Sequence, residues 1–123
     1  MITMRKPEIL SYNGKTILYL DFTDMKDKDE IMKLEKDGSD WIRSQPLSSV
    51  YTLTNMQGMF FNNELKKWFE EIVKLNAPHV KVGAVIGMTG LISIMYNAFV
   101  SVTGRNIKSC RSKEEALDYL SSR

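Results

Sequence analysis

Three patterns in the sequence predict an α/β fold. Two short β-prone runs, residues 9–12 and 15–22, flank Asn13-Gly14, the pair that favours a two-residue hairpin turn. Beyond them, short apolar runs alternate with segments of helical periodicity, the order that gives parallel strands joined by right-handed crossovers. Composition agrees: 43% hydrophobic and 26% charged residues in 123 positions suit one folded domain and exclude disordered or low-complexity architectures. The expectation is a single domain over residues 1–123. It has a single mixed, mostly parallel five-stranded sheet in the order β-β-α-β-α-β-α-β-α, the first strand antiparallel.

Each later element has its own signal. Asp27 and Glu30 sit three apart, as in a capping box, ahead of a mixed-charge helix over residues 28–43. Its inner face is marked by Ile31, Leu34, Trp41 and Ile42; Gly38 weakens it and Pro46 ends it. Residues 50–53 read as a third strand and residues 55–62 as a turn containing Gly58. Leu65, Trp68, Phe69, Ile72 and Val73 then fall at i, i+3, i+4, i+7 and i+8, the clearest helical stripe, with Asn62 or Asn63 as its cap and Pro78 after its end. Residues 81–86 are nearly all apolar, the mark of a strand covered on both faces. A helix over 91–102, a strand over 106–111 and a helix over 112–120 opened by Ser112 and Glu115 complete the order.

Several function classes drop out. Seventeen Lys and Arg against fifteen Asp and Glu leave a net charge of +2, too little for a nucleic-acid surface. One Cys and one His rule out a disulfide framework and the usual zinc ligand count, and no cofactor is expected. No apolar run follows Arg5 and Lys6, so no secretory signal is expected, and a reducing cytoplasm suits Cys110. Residues 82–104 carry no charge over a span-length stretch, yet their Gly, Ser, Thr and Asn content and their division into a strand and a helix argue against a membrane span.

The helix over 91–102 has more apolar surface than one sheet can cover, so a second copy, a partner or an apolar ligand is expected to meet it. The candidate surface is Met56, Met59, Phe60, Phe61, Met88, Leu91, Ile92, Met95, Tyr96 and Phe99; its methionines can repack cheaply, although methionine in an ordinary core is commoner. Gly87, Thr89 and Gly90 precede a helix start, a weak candidate anion site for which a tight turn is the simpler explanation. Asp21 and Asp24 end the second strand, where open α/β sheets collect ligands; loop solvation and capping explain them more simply than catalysis or metal binding. His79 is expected at the surface and Cys110 as a buried, inert thiol.

The order of elements and four strings resemble the STAS superfamily, in particular the bacterial group similar to the sporulation anti-sigma-factor antagonist, whose fold is also similar to CRAL-TRIO lipid-binding domains. The strings are residues 17–22 (ILYLDF), 50–55 (VYTLTN), 81–87 (KVGAVIG) and 112–120 (SKEEALDYL), the last similar to an ending common in that group but with Tyr119 in place of Trp. The resemblance implies a non-enzymatic binding fold acting by protein–protein association; with the lone Cys110 and the apolar helix over 91–102, the expectation is a cytoplasmic domain that forms a homodimer. Carriage of a small apolar or lipid-like ligand is the alternative, and a small enzyme using Asp21, Asp24 and Thr89 a second. In phosphorylatable members a serine opens the helix after the third strand. Here Phe61-Asn62-Asn63-Glu64 occupies that place, with no hydroxyl between Asn55 and Trp68, so the phosphoswitch is expected to be absent.

Overall fold

The computed structural model describes residues 5–103 and 107–123, without the side chains of residue 91 and residues 98–103. Strands β1 (Glu8–Tyr12) and β2 (Lys15–Asp21) form the hairpin across Asn13-Gly14, both at positive φ as that turn requires. Helix α1 (Lys28–Arg43), strand β3 (Val50–Asn55), helix α2 (Asn63–Asn76), strand β4 (Val80–Ile86), helix α3 (Gly90–Thr103), strand β5 (Ile107–Cys110) and helix α4 (Lys113–Ser121) follow. A 3-10 turn, Ala77–His79, links α2 to β4. The sheet order is β1-β2-β3-β4-β5, with β1 antiparallel to β2 and the other pairs parallel, as expected from the sequence.

The sheet is covered on both faces, but unequally. Leu18 and Leu20 of β2 and Val85 of β4 pack with Ile31, Leu34, Leu65, Phe69, Ile92 and Met95 from α1, α2 and α3. On the opposite face Ile17, Tyr19, Tyr51, Leu53, Val82, Ala84 and Ile86 meet α4 through Ala116 and Leu120. Around that single short helix, cation stems lie across tyrosine rings: Lys113 over Tyr19 at 4.5 Å, Lys15 over Tyr51 at 5.3 Å and Lys108 over Tyr119 at 5.1 Å.

Caps and close approaches set the element ends. The Asp27 carboxylate accepts from the Asp29 and Glu30 amides, and the Asn62 side chain accepts from Leu65 N at 2.9 Å. Ser112 Oγ accepts from Glu115 N, while Glu115 reaches back to Arg111 N, one residue before the cap, so the reciprocal bond of a capping box is displaced. Strand β3 continues past residue 53 because Thr54 and Asn55 still pair with Leu20 and Asp21. Gly38 has a different role from the weak point expected: a Cβ there would stand 2.8 Å from the Leu20 side chain, so its absence lets α1 settle on β2. His79 is half-buried, donating through Nδ1 to the Gln45 carbonyl at 2.8 Å, rather than free at the surface.

Candidate functional site

Two places hold the sequence-derived candidates: the rim where β2, β3 and β4 end, and the interior between the sheet and α1, α2 and α3. At the rim, loops are tied by backbone bonds, Asp24 N to Gln57 O at 2.9 Å, Met56 N to Ile86 O at 2.8 Å and Phe60 N to Met25 O at 2.8 Å. Asp21 accepts from Thr23 N and Thr23 Oγ1 and faces Arg5 at 3.8 Å, so its carboxylate is occupied in shaping the turn; Asp24 is exposed at φ 57°. Gly87 has φ 84°, and a Cβ on it would fall 2.5 Å from Gln57 N, a close approach that accounts for the glycine. Thr89 and Gly90 are exposed beside it. Among the described residues no group of three His, Cys, Asp or Glu could hold a metal.

The apolar candidates divide. Met56, Met59, Ile92, Met95 and Tyr96 belong to the protomer's own core, Phe61 packs edge-to-face on Phe69 at 5.8 Å, and Met88 is half-buried. Phe60 is 41% exposed on the rim, and Ile94, on the outer side of α3, is 60% exposed. The side chains of Leu91 and Phe99 lie outside the described residues. No helix among the described residues is long and apolar enough to cross a membrane.

Beneath α1, α2 and α3 is a cavity of about 100 Å³. Its origin is legible in the strands. Where β2 and β4 present Leu20 and Val85 to the helices, central β3 presents the smaller Thr52 and Thr54, and β4 beside Thr52 has Gly83. The helices supply Phe69, Met95 and four polar side chains, Glu35, Glu70, Asn76 and Tyr96; Glu70 pairs with Lys66 and Asn76 accepts from Ser39. Glu35 is 6% exposed and Tyr96 8%. Tyr96 Oη has no hydrogen-bond partner, and the Glu35 carboxyl has neither a hydrogen bond nor an ion pair among the described residues. Burial alone pushes the Glu35 carboxyl up to about 7. Burial, followed by the fields of Cys110 and Tyr119, pushes the Tyr96 hydroxyl well above its ordinary range. Elsewhere, burial raises the Cys110 thiol, as an inert cysteine requires.

No protein-family model matches the chain, and no curated protein does. A solved structure does: an anti-sigma-factor antagonist (STAS) domain protein from Planctomyces limnophilus, at 13% identity and a TM-score of 0.58, covering 94% of this chain and 98% of that one. The chain has a STAS-like fold. In this STAS-like fold the helix after the third strand is α2, opened by Asn62, whose side chain is already committed to Leu65 N.

Sequence reasoning missed Glu35. It stands at the helical spacing of the inner face, with Ile31, Leu34, Gly38, Ser39 and Ile42 all buried at i−4, i−1, i+3, i+4 and i+7 from it. The expectation that carboxylates face solvent hid it. Ser39 was hidden likewise, and it donates to Asn76 Oδ1 at 2.8 Å within the same interior.

Proposed function

We propose that the protein is a non-enzymatic, cytoplasmic association domain that works without a serine phosphoswitch, with a second copy of itself as its first partner. The observation that carries the reading is Phe60, exposed on the rim two residues before the helix cap Asn62, in a loop held by the Phe60 N to Met25 O bond. A large apolar side chain on a fixed loop is a suitable anchor for an interface. Ile94 adds apolar surface on α3. The fold likeness to a STAS domain supports association as the mode of action, by analogy. That Asp21, His79 and Cys110 are each engaged in local structure supports a non-catalytic role.

Light scattering coupled to size exclusion tests this. The wild type is expected to elute as a dimer at micromolar concentration, and Phe60→Asp and Ile94→Asp as monomers with unchanged circular dichroism. A wild-type monomer at 100 µM, on the order of a hundred times a micromolar dissociation constant, overturns the reading.

A further inference from the structure

The edge of the sheet where β2, β3 and β4 begin lies opposite the rim and holds a cluster that association through Phe60 does not use. Val50 pairs with Val80, yet the next residue, Tyr51, pairs with Val82, so Lys81 is an extra residue bulged out of the parallel ladder. Bulges are rare between parallel strands, and one use of them is to re-aim a side chain. Alternation breaks here accordingly: Val50 and Val80 pack with α1, α2 and α3, whereas Tyr51 and Val82 pack on the α4 side. The Lys81 ammonium lies 5.5 Å from the centre of the Tyr51 ring, and the Lys15 ammonium, from β2, lies 5.3 Å from the same point. Lys15 Nζ donates to Tyr51 Oη at 3.4 Å. Burial raises the Tyr51 hydroxyl, but the hydrogen bonds and fields of Lys81 and Lys15 outweigh it and hold the group below its ordinary value. Both ammonium groups therefore act on one oxygen.

Three donors converge there, two ammonium groups and the Tyr51 O–H. Among the described residues no carboxylate pairs with either lysine, and no acceptor takes the Tyr51 proton. Elsewhere on the molecule Lys28, Lys33, Lys36 and Lys66 each face a carboxylate, at 2.9, 2.8, 3.1 and 2.7 Å. On the α4 side Asp118 is engaged by the Tyr12 hydroxyl at 2.6 Å. We propose that Lys15, Tyr51 and Lys81 bind a phosphate group, free or as a monoester, its oxygens accepting from both ammonium groups and from the Tyr51 hydroxyl. The class follows from charge and donor count. A cation is repelled, and a neutral ligand leaves two like charges side by side. Chloride or a carboxylate sets one charge against two. A phosphate monoester carries close to two charges at neutral pH and has three acceptor oxygens, one for each donor. Tyr51 is only 8% exposed, so its ring is fixed by the core, while exposed Lys81 leaves the hydroxyl side open to a ligand.

The test is a titration of amide chemical shifts in the full chain at about pH 7.5 and matched low ionic strength, with inorganic phosphate, glycerol 3-phosphate, acetate and chloride as probes. Inorganic phosphate should give saturable shifts centred on Lys15, Tyr51, Lys81 and Val82. Its affinity should be about ten-fold above acetate and chloride, one further charge-assisted bond being worth about that factor. Glycerol 3-phosphate should bind as tightly if the phosphate group alone is read, and about five-fold or more tighter if the natural ligand is an ester; either result supports the site. Lys81→Met and Lys15→Met keep an apolar stem on the Tyr51 ring and should each weaken phosphate binding about ten-fold, whereas Lys81→Arg should keep most of it. Tyr51→Phe should weaken it about three-fold or more, and if that variant fails to fold the two lysine variants decide. Lys36→Met removes the same charge from α1 and should change the affinity by no more than about two-fold. Shifts that do not saturate, acetate binding as tightly as phosphate, or equal losses in Lys36→Met and Lys81→Met overturn the proposal and leave only the diffuse attraction of a chain of net charge +2. Phe60 lies at the opposite edge of the sheet, so neither this result nor the state of association decides the other.

Discussion

Glu35→Gln is the sharpest perturbation of the interior. The carboxyl moves from its ordinary 4.5 to about 7 on folding, through burial. The folded protein therefore keeps a proton that the unfolded chain releases between those two values. Stability falls as pH rises through that window, and the loss is complete above about 7. The difference of roughly 2.5 units at 1.36 kcal/mol each amounts to about 3 kcal/mol. Of the other ionisable groups around the cavity, Glu70 is paired with Lys66 at 2.7 Å, and Tyr96 is pushed above the range. Glutamine keeps the shape and does not titrate. At pH 8 Glu35→Gln should be more stable than the wild type by about 3 kcal/mol, and at pH 4.5 the two should agree within about 1 kcal/mol. Urea unfolding at pH 4.5, 6, 7 and 8 reads this directly. With a slope of about 1.5 kcal/mol/M, the pH 8 midpoints should differ by about 2 M. Parallel stability curves for the two proteins would refute the reasoning.

Phe69→Ala removes a ring that packs edge-to-face with both Phe22 and Phe61, and should cost about 3–5 kcal/mol by thermal or urea unfolding. Asn62→Ala should lower stability by about 1 kcal/mol through loss of the bond from Leu65 N, with Asn62→Asp retaining it. Gly87→Ala should be destabilising by at least about 1–3 kcal/mol, since its Cβ would meet the Gln57 backbone at positive φ; Gly14→Ala, at a positive φ with open space around it, should be milder. Cys110 should react with thiol reagents only as fast as the native state opens, so that the rate follows stability across the variants above.

Elements whose signals were local were legible in the sequence. The hairpin at Asn13-Gly14, the caps at Asp27 and Ser112 and the stripe from Leu65 to Ile72 depend on neighbours within a few positions, and the structure follows them. Features set by the meeting of distant segments were not. Gly38 reads as a helix defect until Leu20 is seen against it. Tyr96 and Met95 read as surplus surface on an apolar helix, yet they turn inward because α3 lies over the sheet beside α2. Thr52 and Thr54 alternate with Tyr51 and Leu53, which suggests a solvent side; α1, α2 and α3 cover that side, and the modest size of the threonines helps leave the void below. Glu35 needed only its helical spacing, and was obscured by the general rule about carboxylates.

The unequal cover of the sheet bears on how the chain is made. Everything that shelters Leu18 and Leu20 leaves the ribosome in stages, each helix soon after the strand it crosses from. The side bearing Ile17, Leu53 and Ala84 waits for Ala116 and Leu120, more than 25 residues after the last of these three. Until residues 113–121 emerge, the nascent protein carries a naked oily plane, and translation pausing or premature termination before that segment should yield a species that chaperones hold and that aggregates when they do not.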